Sequence, residues 1–117
     1  MKELYTYKAN TEDYIRELKL LAHHLQERHK EDLEKLEDPI LLLVELPTKV
    51  WVYFLIGPEG IVYNQEAPNI KNKILVSYRD LMRLVEKPSK ALRYLFEGRI
   101  KLQGDYHKIL GALQKLL

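Results

Sequence analysis

The 117-residue chain has no cysteine, which excludes disulfide bonds, thiolate metal sites and cysteine nucleophiles. Such a composition is most natural in a reducing compartment, so we expect a cytoplasmic protein. Long apolar runs are also absent. The longest, Val50 to Ile56, is far shorter than the ~18 residues that a membrane-spanning helix requires, and residues 1–8 lack the apolar segment of a signal peptide. We therefore expect neither membrane anchoring nor secretion.

Net charge is small as well, because 19 Lys and Arg residues against 17 Asp and Glu residues leave only +2. We therefore expect no nucleic-acid partner. The charges are unevenly distributed: residues 1–66 hold 8 basic and 13 acidic side chains (net −5), whereas residues 67–117 hold 11 and 4 (net +7). Two interpretations stay open. Either the two parts neutralise each other across one surface, or the basic part forms a cationic face for anionic lipid or phosphate.

Residue patterns typical of catalysis, cofactors and metals are missing. His23, His24 and His29 are separated by one, five and six residues, whereas two ligands stack on one helix face at a separation of three or four. The serines lack a Gly-x-Ser-x-Gly elbow, and the glycines form no phosphate-binding loop. We predict a protein that is not an enzyme and holds no metal or cofactor.

What the sequence does contain begins with a long amphipathic helix. Asn10 and Thr11, followed by acidic residues, are typical of a helix start. The helix is predicted to run to about Glu37, before Pro39, with a bend or break near His29 because an unbroken helix would be ~40 Å long. Its apolar positions recur every three or four residues and form one stripe, which comprises Tyr14, Leu18, Leu21, Leu25, Leu33 and Leu36.

Four predicted strands follow this helix. Ile40 to Leu46 and Val50 to Ile56 are rich in branched and aromatic residues and are joined by a short turn, which predicts a hairpin. Ile61 to Tyr63 and Lys73 to Ser77 are predicted to be a third and a fourth strand. Four consecutive strands imply an antiparallel meander.

The remaining residues predict short helices and one further strand. Ser77 begins a capped helix, and the next helix is closed by Gly98. Residues 99–103 alternate polar and apolar side chains, as a strand buried on one side does, and Asp105 caps a last helix. The expected fold is therefore α+β, with helices and a five-stranded, mainly antiparallel sheet.

The first two strands are apolar on both faces of the predicted sheet. Alternation places Leu42 and Phe54 on one face, and Leu43, Trp51 and Tyr53 on the other. Because helices can cover one face, the other needs a different cover: the long N-terminal helix, a lipid, or a second copy of the protein. The long helix and a homodimer are equal alternatives at this stage.

Three stretches of the sequence resemble a known family. Ser77 to Leu84 reads S-Y-R-D-L-M-R-L and resembles the capped S-x-x-D-L-x-x-L helix of the sterol carrier protein family, the type-two lipid-transfer kind. Ala91 to Asp105 resembles a family segment with glycines at the places of Gly98 and Gly104. Val50 to Val62 matches the family's strand, glycine turn and strand.

The resemblance covers residues 40–117, and the N-terminal helix by element order alone. It implies that residues 1–117 form a single sterol-carrier-like domain with a hydrophobic cavity between sheet and helices. Such a cavity would bind or transfer a fatty acyl, sterol or isoprenoid ligand without catalysis. The alternative is a homodimerising or docking module whose cavity is vestigial. The residues expected to contact the ligand are Val52, Phe54, Leu81, Leu84, Leu92, Leu95, Phe96, Leu110 and Leu113.

Basic residues lie on or between the two short helices that would roof this cavity. They are expected to hold its mouth against anionic lipid headgroups, in a weak and reversible membrane contact. These residues are Arg79, Arg83, Lys87, Lys90 and Arg93.

Overall fold

A computed structural model describes residues 10–117 and begins with the long helix. Helix α1 spans Thr11–Arg28 and starts with a reciprocal cap: the Asp13 N–H donates to Asn10 Oδ1 (2.9 Å), and the Asn10 N–H donates to Asp13 Oδ2 (3.1 Å). A short helix α2, Lys30–Glu34, follows after an interruption at His29, where φ is −115°. The predicted break near His29 is confirmed.

The other elements alternate between the sheet and short helices. Strands β1 and β2 form the predicted hairpin, and one 3₁₀ turn, Pro88–Lys90, separates two of the helices. The strands are β1 Ile40–Glu45, β2 Trp51–Gly57, β3 Gly60–Asn64, β4 Asn72–Ser77 and β5 Ile100–Gln103, and the remaining helices are α3 Tyr78–Glu86, α4 Ala91–Phe96 and α5 Tyr106–Leu116.

The sheet has the order β3-β2-β1-β4-β5, and all its pairs are antiparallel except β1 with β4. The fold is thus α+β with a five-stranded, mainly antiparallel sheet across residues 10–117. The predicted four-strand meander is wrong, because β4 returns across the sheet and pairs in parallel with β1. The physical reason is the two-sided apolar pattern of β1, where Ile40, Leu41 and Val44 are all buried. A strand that is apolar on both faces is stabilised best in the centre of a sheet.

The main helices pack on one face of this sheet. The apolar stripe of α1, with Leu18 and Leu25, faces the same space as Phe54 and Ile74, which alternation places on one face. Leucines of α3 and α5 face that space as well. The long helix therefore does not cover the second face, and one of the two equal alternatives is wrong.

The second face of the sheet stays partly open. Leu41 is buried there, but Leu43, Tyr53 and Leu55 are only half-buried, Trp51 is 38% exposed, and Val62 on the edge strand is 50% exposed. The apolar side chains of β1 and β2 that the helices do not cover therefore lie mostly on this second face.

Local caps end the helices as the sequence predicts. The Asp80 N–H donates to Ser77 Oγ at the start of α3 (3.1 Å), and the Lys108 N–H donates to Asp105 Oδ1 at the start of α5 (3.3 Å). At the end of α4, Gly98 has a φ of +75°. Its N–H donates to the Leu95 carbonyl and the next N–H, of residue 99, to the carbonyl of residue 94, which is a Schellman motif.

A buried amide connects the sheet to the last helix. Asn72, at the start of β4, is 3% exposed, and its Oδ1 accepts from the Asp105 N–H (2.9 Å). The chain reaches this bond through Gly104, whose φ is +108°. A Cβ atom at position 104 would contact Asn72 Oδ1 and lie 2.8 Å from the Lys71 carbonyl oxygen. The start of α5 therefore depends on a glycine here.

We expect Gly104→Ala to lower the free energy of unfolding by about 1–3 kcal/mol, because it combines backbone strain with a contact against the backbone of residue 71. The matched control is Gly111→Ala. Gly111 lies inside α5, and a Cβ there meets nothing within 4 Å, so this change should raise the free energy of unfolding by about 0.5–1 kcal/mol. Urea unfolding measures both, and equal stabilities of the two variants would contradict the assignment.

Candidate functional site

A cavity of about 60 Å³ lies between the helix-bearing face of the sheet and helices α1, α3 and α5. Phe54 and Ile74 form its floor, Leu81 and Leu84 come from α3, and Leu113 comes from the last helix. Every residue that lines it has an apolar side chain. An apolar cavity of this kind excludes water and has no group that orients a polar substrate.

The cavity brings together four of the predicted ligand residues: Phe54, Leu81, Leu84 and Leu113. Val52 is buried in the core on the same face but lies outside the lining. Leu95 and Leu110 are half-buried and lie outside it too. Ligand contact by all these residues remains a prediction.

Two of the predicted ligand residues point away from the interior. Leu92 is 59% exposed and Phe96 is 95% exposed, so the expectation that they face the cavity is wrong. The helical period explains the difference. Ala91 and Tyr94 occupy the inner side of α4 and are buried, and at about 100° per residue positions 92 and 96 then turn outward.

The sequence prediction also missed the contribution of α1. Leu18, Leu21 and Leu25 line the cavity, as do Ile61 of β3 and Leu116 of α5. The signal for α1 was present, because these leucines belong to its apolar stripe. The stripe predicts that the helix packs on something apolar, but it does not identify which face of the sheet receives it.

Polar contacts hold α1 along one side of the cavity. The Ile61 N–H donates to Gln26 Oε1 (3.0 Å), so this helix is connected to the edge strand β3. Lys19 Nζ lies 4.7 Å from the centre of the Tyr63 ring on the same strand. The hydroxyls of Thr11 and Thr48 are hydrogen-bonded at 2.9 Å, which connects the start of the helix to the β1–β2 turn.

Helix α5 is held at one end. Its start is connected through the Asp105 N–H to Asn72, and Lys108 Nζ forms an ion pair with Asp38 (3.0 Å). Beyond residue 108, within the described part of the chain, α5 has no side-chain hydrogen bond or ion pair. Its last turn, with Leu113 and Leu116, therefore contacts the cavity through apolar packing alone.

Two tyrosines connect α1 with α3 beside the cavity. The rings of Tyr14 and Tyr78 meet edge to face, with centroids 4.8 Å apart and planes at 67°. Burial raises the pKa of the Tyr78 hydroxyl above its ordinary value, and the nearby Glu17 and Tyr14 raise it further. The neutral form of Tyr78 is therefore the form that the folded protein favours.

Neither a metal cluster nor a membrane-spanning helix is found among the described residues. Across positions 10–117, no three His, Asp or Glu side chains come together in the manner of a metal site. No helix within these positions has both the length and the apolarity for crossing a bilayer.

Comparison with known proteins identifies the class. Residues 18–117 match the sequence profile of the SCP-2 sterol transfer family, and the chain belongs to this family. Members of such a family are lipid-binding or lipid-transfer proteins in general. No curated protein matches the sequence significantly.

Solved structures share the fold at low sequence identity. The sterol carrier protein domain 2 of Helicoverpa armigera is 21% identical, with a TM-score of 0.64 and coverage of 94% of each chain. Palmitated SCP2L2 of Aedes aegypti is 14% identical, with a TM-score of 0.59, over 79% of this chain and 90% of that one. The sec-alkyl sulfatase PisA1 is 16% identical, with a TM-score of 0.64, and the match takes 93% of this chain but 16% of the sulfatase.

The raised pKa of Tyr78 predicts an alkaline limit to stability. An unfolded tyrosine ionises near its ordinary pKa of 10.0, whereas the folded protein retains the Tyr78 proton to higher pH. Its contribution to the free energy of unfolding should therefore be fully present below pH 10 and be lost as pH rises through the folded pKa. The difference between the alkaline absorbance titrations of the wild type and Tyr78→Phe measures this component, and a midpoint at or below 10 would contradict it.

Proposed function

We propose that the protein binds or transfers a lipid-like apolar ligand in this cavity, without catalysing a reaction. The observation that carries the proposal is the entirely apolar lining between the sheet and three helices. Family membership supports it, as does the palmitated relative of the same fold. A fatty acyl chain, a sterol or an isoprenoid has the matching chemistry, since each is recognised by length and volume more than by polar contacts.

The ligand has to enlarge the cavity. A volume of about 60 Å³ is smaller than the roughly 150 Å³ that accommodates a benzene molecule in an engineered cavity. We assign this enlargement to the last turn of α5, where Leu113 and Leu116 are held by apolar contacts alone. Helix α1 is connected to β3 by Gln26 and stays in place. The ligand then replaces the contacts that these leucines make with the sheet.

The expected affinity is modest. Each buried methylene contributes about 0.8 kcal/mol, so a chain with about ten buried carbons gains roughly 8 kcal/mol before ordering costs. The displacement of the α5 turn and the loss of ligand freedom reduce this gain. A dissociation constant in the micromolar range or weaker follows.

A larger side chain in the lining should compete with the ligand. We expect Leu113→Trp to lower the affinity for a fluorescent fatty acid by at least about tenfold, because the indole occupies the space beside Phe54. The control Leu20→Trp places the same ring on the exposed side of α1, outside the lining, and should leave the affinity within about twofold of the wild type. Fluorescence titration measures both, and thermal unfolding reports the stability of each variant.

The same titration separates the proposal from its alternative, an interaction module with a vestigial cavity. If the wild type shows no saturable binding, and Leu113→Trp loses about 1–3 kcal/mol of stability as in a fully packed core, the proposal is wrong. Organic extraction of the protein after incubation with a lipid mixture, followed by mass spectrometry, gives an independent result, since a carrier binds an apolar molecule from the mixture.

The open second face of the sheet leaves a homodimer as a prediction. Trp51, Tyr53 and Leu55 would become less exposed if a second copy covered them. Light scattering during size exclusion at micromolar concentration should then give twice the monomer mass of 13.9 kDa. In the dimer the emission of Trp51, the single tryptophan, should shift to the blue relative to a dilute sample. A monomer mass throughout the concentration range would reject the dimer.

The weak contact with anionic membranes and the cytoplasmic location belong to this proposal too. A carrier of apolar molecules has to load and unload at lipid surfaces, and the basic side chains between α3 and α4 have the charge that anionic headgroups attract.

A further inference from the structure

An apolar ridge lies on the outer side of α4. It consists of Leu92 and Phe96, which are one helical turn apart on the same side, and we name it the α4 ridge. Phe96 is 95% exposed and Leu92 is 59% exposed. Single exposed apolar residues are common on protein surfaces, but here two large ones adjoin each other and form a small apolar patch.

The fold prevents this ridge from turning inward. Ala91 and Tyr94 already fill the inner side of α4, with exposures of 8% and 3%. The Schellman motif around Gly98 fixes the end of the helix, and the Arg99 guanidinium lies 5.1 Å from the centre of the Tyr94 ring. The outward direction of Phe96 is therefore a property of the folded structure.

The ridge lies in a basic segment of the chain. Residues 79–101 contain seven basic and three acidic side chains, a net charge of +4. Two of the three acids are already neutralised. Glu97 pairs with Arg93 (3.3 Å) and with Arg99 (3.0 Å), and Asp80 pairs with Arg99 (3.5 Å).

Other cations of this segment have no acidic partner. Arg83, Lys87 and Lys90 form no ion pair with any residue between 10 and 117. Lys87 directly precedes the 3₁₀ turn and Lys90 ends it just before α4, so their charges lie next to the start of the ridge in the chain. The segment therefore presents two exposed apolar side chains together with uncompensated positive charge.

We infer that the α4 ridge inserts into the surface of an anionic lipid bilayer, while Lys87 and Lys90 contact the headgroups. The inference rests on the proposed function, because a lipid carrier has to meet the membrane that supplies its ligand. Apolar side chains at the boundary of the acyl region and cations at the headgroup level are the combination that interfacial helices use. The contact is weak and reversible, since only two side chains enter the bilayer.

A second copy of the chain fits this surface less well. A symmetric dimer places the same patch on both subunits, so it would bring two segments of charge +4 together. A stable protein interface also covers about 800 Å² on each partner, whereas the ridge offers two side chains on a six-residue helix. The positive charge of residues 79–101 therefore favours an anionic membrane surface over a second copy of the chain.

A site-specific fluorophore tests insertion directly, because the chain has no cysteine of its own. Leu92→Cys, labelled with an environment-sensitive dye, should show a blue shift and stronger emission with vesicles that contain phosphatidylserine. Phosphatidylcholine vesicles should give little change, and added salt should reverse the effect. The matched control is Leu20→Cys, a leucine of α1 with a similar exposure of 53%, whose dye should not respond.

Two further variants separate the apolar and the electrostatic contributions. Phe96→Ser should lower the affinity for phosphatidylserine vesicles by about tenfold, whereas Leu20→Ser should stay within about twofold of the wild type. The double variant Lys87→Glu and Lys90→Glu should lower it by at least about tenfold. Its control is Lys30→Glu with Lys35→Glu, the same charge change on and next to α2. All of these positions are exposed or half-buried, and thermal unfolding verifies that each variant folds.

Three outcomes would overturn the inference: equal binding of the wild type to neutral and anionic vesicles, unchanged binding by Phe96→Ser, or a dye response at position 20 that matches the one at position 92. Loss of self-association in Phe96→Ser without any effect on vesicle binding would assign the ridge to a protein interface and would overturn it as well. Fatty-acid binding measured without vesicles tests the proposed function separately. It should be unchanged in Phe96→Ser, and its absence in the wild type would reject the carrier while the vesicle result stands.

Discussion

The parallel pairing of β1 with β4 determines where the other parts of the molecule lie. It places Ile74 beside Leu42 and Val76 beside Val44, so the apolar face extends from the hairpin across the whole sheet. Both ends of β4 then position a helix. Ser77 ends the strand and caps α3, and Asn72 begins it and accepts the backbone N–H that starts α5. Two of the three helices over the cavity therefore depend on β4.

The cavity is a consequence of how these helices are held. Directional polar contacts fix α1 along β3 and the start of α5 beside β4, whereas the cavity between them is lined mainly by leucine and isoleucine side chains. Hydrogen bonds fix positions closely, but apolar packing tolerates rearrangement at a cost that a bound apolar molecule offsets. This combination of fixed edges and an apolar interior is what the proposed apolar ligand requires.

The outer surface divides into regions of different chemistry. The helix-free face of the sheet is apolar around Trp51 and Tyr53, and Lys73 of β4 lies on it beside Leu41. The corner formed by α3 and α4 combines an apolar ridge with a net charge of +4 over residues 79–101. The excess of basic residues in the C-terminal part of the chain is therefore concentrated where α4 exposes Phe96, and the overall charge of +2 conceals this asymmetry.

The sequence by itself determined the elements and their ends, because caps, turns and apolar periods act over a few residues. Asn10, Ser77 and Asp105 start helices as predicted, Gly98 ends one, and the resemblance to sterol carrier proteins is confirmed. Only the tertiary structure determined that β4 pairs with β1, that α1 packs on the same face of the sheet as α3 and α5, and that Phe96 points outward. These outcomes result from competition among apolar surfaces that are distant in the chain. Leucine stripes, and strands that are apolar on both faces, indicate how much surface must be buried. Which surfaces pair with each other depends on how all the strands and helices pack together.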